Sequence, residues 1–93
     1  MNDETTMALT GNLSGTAARE RLVGMLEEAW NSGAENLVVD LSAVTEIDFD
    51  SLTTLLSARN KFSRAGGGMT LRSVPPRIAR LAELFRIQLG SVD

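Results

Sequence analysis

Cysteine, histidine and tyrosine are all missing from this chain of 93 residues, and each absence excludes something. Without cysteine there is no disulfide and no thiolate metal site, so packing alone must close the fold. Without histidine, the commonest general base and the commonest metal ligand are gone. Catalysis would have to run on carboxylates, hydroxyls, lysine and arginine. Asp40 and Asp48 come nearest to a carboxylate pair, but no further acidic ligand clusters with them. The expectation is a protein that is not an enzyme and needs no metal or cofactor.

Long hydrophobic runs are missing too. No stretch approaches the roughly 18 apolar residues of a membrane span. The opening Met1-Asn2-Asp3-Glu4-Thr5-Thr6 is acidic and has no apolar core of a signal peptide. A cytoplasmic protein without membrane insertion is expected. Positive charge is sparse: net charge is -3, and the nine basic residues are scattered. Nucleic-acid binding wants a basic stripe, so it is not expected. What is present is ordinary globular material, 43% hydrophobic and 23% charged, too apolar for disorder. The length allows one domain, 1–93, with 1–6 expected to be flexible.

Hydrophobic spacing divides the chain into alternating elements. Met7-Ala8-Leu9 reads as a short strand, followed by turn chemistry at Gly11-Asn12-Leu13. Ser14 and Thr16 are N-cap candidates for a helix. Leu22, Met25, Leu26, Ala29 and Trp30 form one apolar helical stripe, predicted to be core, with Gly33 as its stop. Leu37-Val38-Val39-Asp40-Leu41 suits a strand covered on both faces, and Val44–Ile47 a second short extended piece. From Asp48 the period is helical again, through Leu52, Leu55, Leu56 and Phe62, until Gly66-Gly67-Gly68. Met69–Val74 alternates as a strand. Pro75-Pro76 opens a third helix with Ile78, Leu81, Ala82 and Phe85 on one face. Ile87–Val92 is a last short extended segment. The order predicts an α/β fold with a mainly parallel sheet of about four strands and helices packed on it.

The informative segment is Leu37–Leu56, where a buried strand hands over through a short loop to a helix start. Helix N-termini carry unsatisfied N–H groups and suit anions, phosphoryl groups included. The run Val38-Val39-Asp40-Leu41-Ser42-Ala43-Val44-Thr45-Glu46-Ile47-Asp48 resembles the signature of STAS domains. Gly11-Asn12-Leu13, Gly66–Leu71 and Pro75–Leu84 resemble three further motifs of that family in the right order, so the resemblance covers nearly the whole chain. It implies a small STAS-type fold.

The resemblance also implies a function. Anti-sigma-factor antagonists of this family bind an anti-sigma factor that is a serine kinase, which phosphorylates the second serine of an "I-D-S-S-G-L" motif. Phosphorylation adds about -1.5 to -2 charge at the binding surface and so switches partners. Aligned by spacing, Asp48 matches the motif's aspartate, Phe49 the first serine, Asp50 the phosphorylated serine and Ser51 the glycine. Asp50 therefore places a carboxylate where the phosphate would go. Ser51 is a second candidate acceptor, rotated by roughly 100° from the usual position. Phe49 either folds back as a hydrophobic staple or faces a partner. The partner-binding residues expected are thus Asp48, Phe49, Asp50 and Ser51. Two other roles known among small STAS proteins fit the resemblance: bracing the ATPase of a lipid-transport ABC system, and acting as an adaptor in chemotaxis-type signalling.

Overall fold

The computed structural model describes residues 4–87. Its elements run β1 (Glu4–Asn12), α1 (Thr16–Asn31), β2 (Asn36–Glu46), α2 (Phe49–Arg64), β3 (Gly68–Arg72) and α3 (Pro76–Leu84). The three strands form one sheet in the order β1-β2-β3, and both pairings are parallel. The count is three strands rather than the four expected. The additional strand was placed at Ile87–Val92; Ile87 is irregular, and 88–92 lie outside the described residues. At the other end, Glu4, Thr5 and Thr6 were expected to be flexible but extend β1 and pair with Asn36, Leu37 and Val38.

Alternation decides which face is covered. Met7 and Leu9, Leu37, Val39 and Leu41, and Met69 and Leu71 are buried on one side and join a single core cluster. Leu22 and Leu26 of α1, Leu52, Leu55 and Phe62 of α2, and Ile78 and Ala82 of α3 complete it. The opposite side carries exposed Thr6, Ala8 and Thr10, with Val38 flanked by Thr6 and Thr70 and outside that cluster. Among the described residues, the sheet is therefore helix-covered on one face only, not on both. Val38 escapes water because its two strand neighbours shield it.

The two extended pieces read at 37–41 and 44–47 are one strand, β2. Its register against β1 shifts between Ala8 and Thr10 and again between Gly11 and Asn12. Each shift places an extra residue in β2, the geometry of a bulge. Asp40 secures the first: its Oδ1 accepts the Ser42 N–H at 2.9 Å, and Arg72 lies 3.5 Å from Oδ2. The Ser42 N–H and hydroxyl, and then Arg72, hold this carboxyl below its ordinary value. The Asp-Leu-Ser sequence thus shapes the strand that leads into the site.

Two core assignments need correction. Met25, placed in the α1 core stripe, is 39% exposed, and Phe85, placed on the buried face of α3, is 52% exposed. Met25 lies beside the edge strand β1, where it lines open grooves with Met7 and Leu9, and Phe85 follows the last turn of α3.

Candidate functional site

The head of α2 is built from both ends of the molecule's first crossover. Asp48 is the N-cap: its Oδ1 accepts the Ser51 N–H at 2.9 Å. Its other oxygen, Oδ2, accepts the N–H of Gly15 at 2.9 Å, from the loop between β1 and α1. Gly15, not Ser14 or Thr16, is the N-cap of α1. It holds φ at +91°, a conformation that side-chain-bearing residues rarely adopt. The Ser51 hydroxyl donates to the Leu13 carbonyl at 2.6 Å, and Ser51 is fully buried. Asp48 and Ser51 therefore clip the β1–α1 loop to the head of α2.

The backbone N–H groups of Gly15 and then Ser51 hold the Asp48 carboxyl below its ordinary value, with Arg19 adding a smaller pull. A lowered folded-state value means that this stabilisation is present above the unfolded value near 3.8 and is lost as pH falls through the folded one. Asp48→Ala is expected to cost about 2 kcal/mol, the upper end for a cap, because two N–H groups lose their acceptor. Asp48→Asn should flatten the acid limb of stability below about pH 4, measured by urea unfolding across pH.

Two residues point outward. Phe49 is the first residue of α2 and is 42% exposed. The staple positions flanking the cap belong to Ile47 and Leu52, both in the core, so Phe49 is not needed there. It leans instead on Phe85, with ring centroids 4.5 Å apart and planes at 46°. Leu84 is 74% exposed beside Phe85 in the chain. Asp50 follows in the first turn, its carboxylate solvated and 3.5 Å from Arg19 Nη1 of α1. Its carbonyl accepts the hydroxyls of Thr53 and Thr54, at 2.9 and 2.8 Å.

The four expected residues thus separate by direction. Phe49 and Asp50 form a surface, with Asp48 half-buried beneath it and Ser51 inside. Ser51 presents no hydroxyl for a kinase and nothing to a partner, so it is withdrawn both as an acceptor and as a docking residue. Arg19 and Phe85 also belong to this corner, through Asp50 and Phe49, and were not expected there. Nothing in the sequence singles out Arg19. The spacing of Phe85, three positions after the core residue Ala82, points to the buried face of α3 and so away from the site. Among the described residues, no three acidic side chains approach closely enough to hold a metal ion, and no helix is long and apolar enough to cross a membrane.

The family profile described as "Mlab, STAS domain" matches residues 1–88. The chain belongs to the STAS domain family. Solved structures agree on the fold. The NMR structure of the protein TM1081 superposes with a TM-score of 0.79 at 19% identity, over 100% of this chain and 75% of that one. The Bacillus cell fate determinant SpoIIAA in its phosphorylated form gives 0.74 at 15% identity, over 100% and 85%. The anti-sigma factor antagonist SpoIIAA in its unphosphorylated form gives 0.71 at 15%, over 90% and 76%. No curated protein matches the chain. At these identities the STAS domain shares the fold of SpoIIAA.

Proposed function

We propose that this STAS domain is a non-enzymatic, cytoplasmic protein-binding regulator, similar to the anti-sigma-factor antagonists, that docks through the head of α2 without a phosphoryl switch. The carrying observation is the pairing of exposed Phe49, stacked on Phe85, with a solvated Asp50, while the hydroxyl of Ser51 is buried. Aromatic residues, phenylalanine included, are enriched at the desolvated centre of interfaces, and an exposed ring already held by a second ring offers such an anchor. Asp50 carries a permanent negative charge where the resemblance puts the regulated one. Its single carboxylate has less charge and fewer acceptors than a phosphate, so it suits a surface that stays competent to bind.

The partner on this reading is an anti-sigma factor or related serine kinase. A second reading has a specific observation in its favour: a carboxylate at position 50 also suits a permanent subunit bracing a lipid-transport ATPase, and the matching family profile is the one described as Mlab. Calorimetric titration against a kinase-type anti-sigma factor and against a transporter ATPase subunit separates the two.

With the true partner, Phe49→Ala is expected to weaken binding about thirtyfold, the loss of a hot-spot residue. Asp50→Ala should weaken it only a few-fold, since the group is solvated. Adding ATP to a kinase partner should change neither the affinity nor the mass of the wild-type chain. An unchanged affinity in Phe49→Ala, or a phosphorylated wild type, defeats the proposal.

A further inference from the structure

We propose that β1 pairs edge to edge, antiparallel, with β1 of a second copy of this chain, giving a continuous six-stranded sheet across a two-fold axis. β1 is nine residues long and ends the sheet, with no strand among the described residues on its outer side. Edge strands of soluble proteins are normally blunted by lysine, proline, bulges or brevity. From Glu4 to Asn12 there is neither lysine nor proline, Glu4 is the sole charged residue, and the extra residues of both register shifts fall in β2.

Beside this edge lies an apolar groove under α1. One cavity of about 270 Å³ is lined by Thr5, Met7, Met25 and Ala29, among others, and shares Met25 with a second of about 90 Å³ against Leu9 and Leu22. Met25 is the exposed residue where the two meet.

Charge selects the occupant. Glu28 lines the first cavity and Arg21 the second, at positions +3 and -4 from Met25 on one helical stripe. Both are exposed, and neither forms an ion pair among the described residues. In an isologous contact, residue i meets j while j meets i. A two-fold axis at the level of Met7 and Met25 therefore sets Arg21 of each copy against Glu28 of the other, twice. It also buries both Met25 side chains and places Glu4 opposite Thr10, so like charges do not meet. A foreign strand would have to bring both complementary charges with it; the chain already carries them.

Sedimentation of the full chain from about 10 μM to about 1 mM should show a reversible monomer–dimer equilibrium. Arg21→Glu and Glu28→Arg are each expected to weaken it at least about tenfold while melting as the wild type does, and the double charge swap should restore it. Phe49→Ala should leave dimerisation unchanged, which keeps this result separate from docking at α2. A wild type that stays monomeric throughout, with or without uptake of an extended peptide at β1, overturns the proposal. So do single variants that dimerise as tightly as the wild type, or a double variant no tighter than the singles.

Discussion

Ser51→Glu is expected to unfold most of the protein near room temperature. The side chain is fully buried, and its hydroxyl donates to the Leu13 carbonyl 2.6 Å away. Glutamate is longer, cannot donate when ionised, and would bring an unpaired charge into this closed corner. An uncompensated buried charge costs about 3–5 kcal/mol. A domain of this length has little more than that to lose. Thermal melting followed by circular dichroism should show the transition lowered by on the order of 20 °C or abolished. Ser51→Ala, which removes the donor without adding charge, should cost about 1–3 kcal/mol. Asp50→Ser, one residue earlier and solvated, should melt within a few degrees of the wild type. A wild-type melting curve for Ser51→Glu would mean the hydroxyl is accessible and would reopen phosphorylation at that residue.

Gly67→Ala is expected to be the next most damaging change. A Cβ on Gly67 would land against the backbone carbonyl of Glu35, far inside contact distance. Gly68 donates its N–H to that same carbonyl at 3.0 Å, so neither backbone can retreat without breaking the entry to β3. Overpacking of this kind costs typically about 1–3 kcal/mol, and backbone on both sides puts this case at the top of the range. Gly24→Ala provides the opposite sign. It lies within α1 with open space where its Cβ would go, and alanine there should stabilise by roughly 0.5–1 kcal/mol. Urea denaturation of the two variants should move the midpoint in opposite directions. Equal effects would contradict the tight approach of Gly67 to Glu35.

Element order was legible because the period of the apolar residues changes at each boundary. Leu22 and Leu26, Leu52 and Leu55, and Ile78 and Ala82 announce their helices and are the residues that bury. Coverage of the sheet was less legible. An apolar run such as Leu37–Leu41 looks the same whether helices shield Val38 or two threonine neighbours do. Met25 was misplaced for a related reason: helical spacing shows which residues share a stripe, not where the sheet beneath it stops. The site was half legible. Motif spacing put the right residues at the head of α2 but could not tell direction, which depends on a loop more than 30 positions away. Asp48 and Ser51 turn inward because Gly15 and Leu13 offer them partners. Phe49 turns outward because Ile47 and Leu52 already hold the staple positions.

On the proposed function, the exposed corner formed by Phe49, Asp50 and Phe85 is the docking surface. Amide and side-chain NMR of the isotopically labelled chain, titrated with its partner, tests it most directly. Signals of Phe49, Asp50, Thr53, Arg19, Leu84 and Phe85 should shift or broaden first, while those of Thr6, Thr10 and Thr70 on the open sheet face stay in place. Perturbation confined to the sheet face, with the head of α2 silent, would contradict it.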